Sequence, residues 1–225
     1  MRKFLEKTAF LYQADDFATC GGGGTRTECF SFELIESGTA YAVTGLSLHS
    51  AKDIVIPAAY NGLPVTQIKA RAFFAQEHLT TVVMPNTITV VGDSAFARCN
   101  HLTALEFSNN LEKLAESVFE GCSSLKSVRL PDGFTFMMGY VFYLCSGLQR
   151  VIIPKSISGI GYKSFEGCNS LREVFYKGTE DDWRGIRIQP NENLLKAKIY
   201  YYRESVPLQS GNYWHYDKNG EVVVW

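Results

Sequence analysis

Apolar positions recur along this chain every 23 residues. Phe73, Phe96, Phe119, Phe142 and Phe165 mark the period. Six residues after each stands a leucine: Leu79, Leu102, Leu125, Leu148 and Leu171. Three further on lie Val82, Leu105, Val128, Val151 and Val174, and two beyond those Met84, Phe107, Leu130, Ile153 and Tyr176. Two columns run upstream: Val65, Ile88, Leu111, Phe134 and Ile157, then Ile68, Val91, Leu114, Met137 and Ile160. A small or β-branched residue precedes each phenylalanine: Ala72, Ala95, Val118, Val141 and Ser164. Chance does not align seven apolar columns over five units. One unit cannot bury its own apolar face, so units stack and share a core, which is a solenoid. The Leu-x-x-Val-x-Leu segment predicts the strand, its alternate side chains pointing inward. Pro85, Pro131 and Pro154 end it, because proline has no N–H for the ladder. Successive strands lie parallel, about 4.8 Å apart. The segment around residues 94–96 predicts a short helical turn on the opposite side.

Units such as VIIPKSISGIGYKSFEGCNSLREV (residues 151–174) resemble the BspA-type leucine-rich repeat of bacterial surface proteins. DIVIPAAYNGLPVTQIKARAF (residues 53–73) is five residues longer before its Val65 and resembles the opening unit of that family. The resemblance covers roughly residues 30–202. It implies an α/β, strand-rich leucine-rich-repeat solenoid, right-handed, with parallel strands on one face. Short helical turns or irregular segments form the other face, and hairpins cap the ends. It also implies a non-catalytic protein-binding role at the bacterial cell surface, with adhesion or host and matrix contact as the associated activity. No catalytic residues come with it.

Both ends of a solenoid need covering. Residues 1–28 read as an N-terminal segment, flexible around the glycines at 21–24. Residues 29–52 alternate apolar and polar side chains about a turn at 36–39 and predict a capping hairpin. The repeats occupy 53–176, and 177–204 form a C-terminal cap. There Thr179 caps a short helix whose first turn holds three acids, and 194–202 predict a strand. Residues 205–225 are a linker and an aromatic hairpin with Asn219 and Gly220 at its turn. Seven aromatics fall between 200 and 225. That density faintly resembles the hairpins of bacterial wall-binding repeats, which implies glycan or cell-wall binding; the other reading is that the rings close the end of the solenoid.

Composition narrows the function. Twenty-two Lys and Arg stand against 23 Asp and Glu, for a formal charge of −1. That balance argues against nucleic acid and anionic lipid as partners. The longest apolar stretch, 134–148, is shorter than the ~18–20 residues that span a bilayer, so no membrane span is expected. Residues 1–12 do not form a secretory signal, because Glu6 and Lys7 break the apolar run. Localisation stays open between a cytoplasmic protein, serving as an intracellular scaffold, and a secreted one whose signal lies elsewhere. Cys99, Cys122, Cys145 and Cys168 form one column, three residues after each phenylalanine. A column is a line, whereas zinc needs ligands converging on a point. These thiols are therefore expected to be packed and unreactive. Cys20 and Cys29 flank the glycines, and both states, a disulfide and two free thiols, stay open. No histidine neighbours a nucleophile with an orienting acid. Catalytic, cofactor and metal sites are all expected to be absent.

Two surfaces are candidates for a protein partner. On the outward sheet face one column reads Thr81, Ala104, Ser127, Arg150 and Glu173, and the other Val83, Glu106, Arg129, Ile152 and Phe175. Opposite charges on adjacent strands can simply pair; otherwise Arg129, Arg150, Ile152 and Phe175 form part of a recognition face. The second surface is a surplus of apolar residues in one unit. Phe136 shares its column with Gln67, Lys113 and Gly159, and Met138 with Lys69, Gly92, Ala115 and Gly161. Tyr140 aligns with Arg71, Ser94, Ser117 and Lys163. Tyr143 aligns with Phe74, Ala97, Glu120 and Glu166, and Leu144 with Ala75, Arg98, Gly121 and Gly167. The core positions of this unit are already filled, so the surplus should face outward. An exposed apolar patch marks an interface, with another protein or a second copy of this chain, unless the chain's own ends fold over it.

Overall fold

The structure is a computed structural model that describes residues 27–47 and 51–225. The glycine run and Cys20 lie outside the described residues. The chain winds as a three-sided coil. Parallel strands Asp53–Val55, Thr81–Val83 and Ala104–Glu106 line one side. That side continues as Ser127–Arg129, Arg150–Ile153, Glu173–Tyr176 and Lys198–Tyr202. Its register follows the repeat, with Ser127 opposite Arg150 and Arg150 opposite Glu173. Shorter strands form the second side: Val90–Val91, Lys113–Leu114, Phe136–Met137, Gly159–Ile160 and Arg187–Ile188.

The third side is built from turns around the phenylalanines, not from helices. Residues two before and two after each phenylalanine have left-handed backbones: Arg71 and Ala75, Ser94 and Arg98, Ser117 and Gly121, Tyr140 and Leu144, Lys163 and Gly167. This alternation points every second N–H along the solenoid axis instead of back into a helix. Arg71, Phe73 and Ala75 donate to the carbonyls of Asp93, Ala95 and Ala97 at 2.9, 2.7 and 2.8 Å. The next turn repeats the pattern, with Phe96 donating to Val118 at 2.9 Å. The turns thus form a ladder of their own, and no buried N–H of the central phenylalanines is left over.

One apolar cluster runs from Cys29 to Ala197. Its axis is a ladder of rings. Phe73 to Phe96, Phe96 to Phe119, and Phe119 to Phe142 stack at 4.8, 5.4 and 5.5 Å between centroids. Beside it runs the cysteine column, buried and free.

At the N-terminal end, Phe30–Ile35 and Ala40–Leu46 pair antiparallel, and the second joins Leu63–Ile68 in parallel. The five extra residues of the opening unit form a small ribbon, Ala59–Tyr60 against Leu63 and Pro64. Asn61 and Gly62 turn it with φ of 47° and 78°, the left-handed pair that tight hairpins demand. Its Tyr60 ring stacks 4.0 Å from Phe32.

At the other end, helix α1 (Glu180–Arg184) carries the capping box expected of Thr179, closed reciprocally by Asp182. A second helix, α2 (Glu192–Lys196), occupies part of the segment read as strand, and the strand starts only at Lys198. The reason is the last turn. Lys163, Phe165 and Gly167 have no further repeat to donate to. They donate instead to the Pro190 carbonyl and to the side-chain Oδ1 atoms of Asn191 and Asn193, at 2.9, 2.9 and 3.0 Å. The chain leaves the 23-residue period here but still completes one more coil.

Candidate functional site

The sheet face is half covered by the chain itself. The terminal hairpin, Tyr213–Tyr216 with Val222–Val224, extends the sheet beyond Lys198–Tyr202 and packs back over its outer face. Trp214 is fully buried and its Nε1–H donates to the Tyr176 carbonyl at 2.9 Å. Its ring meets Phe175, Tyr202 and Tyr216 edge-on at 5.6, 5.1 and 4.9 Å. Phe175 points away from the solenoid core, as its register requires, yet it is only 2% exposed. It is therefore not a surface contact residue; with Tyr200 and Trp214 it forms a second, separate core that Ile152 joins half-buried. Arg129 is exposed but engaged: its Nη2 donates to the Tyr216 hydroxyl at 2.6 Å, and its guanidinium lies 4.8 Å from that ring. Arg150 is exposed and pairs with Glu173 at 2.6 Å. Exposed pairs of this kind are worth about 0–1 kcal/mol.

The apolar corner at 136–144 is open. Phe136 is 42% exposed and Leu144 47%, while Met138, Tyr140 and Tyr143 are half-buried. Phe136 lies over Gly159 and Leu144 over Gly167, where a Cβ on either glycine would come within 2.5 and 2.6 Å of the ring and the methyl. Glycine in the following unit thus makes room for these side chains. Tyr140 meets Tyr143 and Tyr162 edge-on at 5.5 and 5.6 Å. The terminal hairpin packs on the sheet face instead of this corner; the N-terminal segment, the other suggested cover, lies outside the described residues.

Tyr162 was not singled out from the sequence, although the signal existed. Its column holds Ala70, Asp93, Glu116 and Gly139, so a tyrosine there is as anomalous as Tyr140. Asn191 also escaped, because it stands outside the repeat and no column flags it.

The column thiols are unlike nucleophiles. Each donates to the phenylalanine carbonyl of the preceding unit, Cys99 to Phe73 at 3.1 Å and Cys122 to Phe96 at 3.2 Å. Burial pushes Cys99 and Cys168 up to about 12 and also raises Cys122 and Cys145 well above the ordinary thiol value. They stay protonated, and a thiol is a poor nucleophile in that form. Cys29 is buried and disulfide-bonded. Among the described residues, no group of three or more His, Cys, Asp or Glu is placed to hold a metal ion. No helix among them is long and apolar enough to cross a membrane.

A family model described as the BspA type leucine rich repeat region matches residues 50–181 with six copies, one more than the five units read from the columns. A leucine-rich repeat protein of T. pallidum is 27% identical, with 67% of this chain and 70% of that one covered and a TM-score of 0.64. A leucine rich cell surface protein of Faecalibacterium prausnitzii is 31% identical over 72% of this chain, with a TM-score of 0.65. The chain spans 41% of the length of that protein. The pneumococcal vaccine antigen PcpA shares the fold at 19% identity, with a TM-score of 0.57 over 79% of this chain and 43% of its own. A comparison with curated proteins gives no match.

Proposed function

Because this chain belongs to the family of BspA-type leucine-rich repeat proteins, we propose that it is a non-catalytic protein-binding module whose recognition surface is the apolar corner at 136–144. The observation that carries this is a conflict between backbone and side chain. Tyr140 and Leu144 sit in left-handed conformations, φ 59° and 58°, in columns where sister units place Arg71, Ser94, Ser117 and Lys163, and Ala75, Arg98, Gly121 and Gly167, all of them small or charged. Holding a side chain there costs about 1 kcal/mol relative to glycine. Leu144 offsets little of it, because almost half of the side chain remains in water. Residues kept against stability serve contact more readily than folding. The F. prausnitzii relative is a leucine rich cell surface protein, which supports a surface location here and, with it, adhesion or host contact. The sheet face contributes only where the hairpin leaves it open, at Arg150 and at the edge of Arg129.

The test compares the wild-type chain with Phe136→Lys plus Leu144→Gly as baits in host and bacterial extracts. A protein held by the wild type alone is then titrated directly against both. The expected result is loss of binding by more than tenfold, with a melting temperature unchanged or raised. Equal binding by both baits would rule out this corner as the recognition surface.

A further inference from the structure

A second concave feature lies between the terminal hairpin and the carboxyl ends of the sheet strands. It encloses about 310 Å³ and is lined by Asp132, Lys155, Lys177, Tyr202 and Tyr216. The register explains the convergence. Pro131, Pro154 and Lys177 share one column just past the ends of three neighbouring strands, so Asp132, Lys155 and Lys177 emerge at one rim. The hairpin then brings Tyr216 over that rim beside Tyr202, with ring centroids 6.1 Å apart and planes tilted by 49°.

The charges in this cleft are already matched. Lys177 pairs with Asp132, and Lys155 pairs with Asp182 at 3.3 Å. An anion entering the cleft meets the Asp132 carboxylate, and a cation meets two ammonium groups. A neutral ligand carrying neighbouring hydroxyls meets no such conflict. Each hydroxyl both donates and accepts, so it can donate to Asp132 while accepting from Lys177. The two tyrosine rings supply flat apolar walls, with hydroxyls at their tips, as ligand clefts commonly combine. These walls are held before any ligand arrives. Trp214 packs both rings edge-on, Arg129 donates to the Tyr216 hydroxyl, and the Lys177 ammonium lies 5.2 Å from the Tyr216 ring. The hairpin's own docking is already provided by the buried Phe175, Tyr200 and Trp214 cluster.

We propose that this cleft binds a neutral saccharide, one pyranose ring lying against Tyr202 and Tyr216 with its hydroxyls on Asp132 and Lys177. The site is distinct from the 136–144 corner and stands or falls separately from it.

The test uses the full chain and three neutral probes, the linear tetrasaccharides of N-acetylglucosamine, glucose and mannose, titrated calorimetrically. A tetramer of galacturonic acid is the charged control. At least one neutral probe should bind, with affinity unchanged when salt rises from about 0.05 to 0.5 M. Asp132→Asn and Lys177→Met should each weaken it by about tenfold, and Tyr216→Phe should do so less. Phe136→Lys should leave it unchanged. The melting temperature of each variant shows that the fold persists, and Asp132→Asn, at an exposed side chain, is the conservative member. Three results would overturn the proposal: no neutral probe binding at millimolar concentration, binding of the acidic tetramer alone with loss at high salt, or equal affinity in Asp132→Asn and Lys177→Met.

Discussion

The cysteine column shows how much a single position can be governed by its stack. Each thiol is buried and free and donates to the phenylalanine carbonyl of the preceding unit. The consequence is a pH dependence. A thiol's folded pKa lies above its unfolded value of 9.0, so its stabilising contribution is complete below pH 9 and is lost as pH rises toward the folded value. Each column thiol should cost about 1.4 kcal/mol per pH unit in that window. Cys145→Ala should therefore lower stability at pH 7 by about 1–2 kcal/mol, yet show a shallower decline above pH 9. Urea unfolding at several alkaline pH values measures this, and parallel curves for wild type and variant would contradict it. Tyr140 and Leu144 are the opposite case. Their columns otherwise hold small or charged residues, Arg71, Arg98 and Lys163 among them, so the turn itself does not require an apolar side chain there.

At the scale of elements, the turn around each phenylalanine is the less familiar part. Its paired left-handed residues convert what would be helix N–H groups into rungs toward the next unit. A ladder of this kind has an open last rung, and the cap exists to close it. Asn191 accepts from the Phe165 N–H while its Nδ2 donates to Gly161 and Gln189, both at 2.8 Å. It is 1% exposed. Asn191→Ala leaves the Phe165 N–H buried without a partner, while the Gly161 carbonyl keeps the Ser164 hydroxyl and Gln189 is exposed, and should cost about 2 kcal/mol. Denaturant unfolding is the measurement; a loss below about 0.5 kcal/mol would show that water or a shifted backbone takes over the role. The helix of which this asparagine is the cap forms because the ladder must be ended, which is why a strand reading of 194–197 fails.

For the whole molecule, the core is one cluster shared by every unit, and the hairpin forms a smaller core of its own outside it. Deleting residues 205–225 should leave the circular dichroism of the solenoid intact while exposing Phe175 and Tyr200. Binding of an apolar dye should rise, and solubility should fall. Collapse of the dichroism would instead mean that the hairpin is integral to the coil. The 23-residue columns by themselves determined the solenoid, its parallel register, the buried rings and the inert thiols. They could do so because each unit meets only its neighbours, so a contact between units is a relation between columns. The open apolar corner was legible for the same reason, as a departure from its columns. What lay outside the period was legible only locally, as the Thr179 cap and the two hairpins were, and not in where it packs. Tertiary structure alone decided that Phe175 is covered, that Arg129 holds Tyr216, that Asn191 ends the ladder, and that a cleft opens beneath the hairpin. Each of these joins a periodic segment to an aperiodic one, and no column records where an aperiodic segment comes to rest.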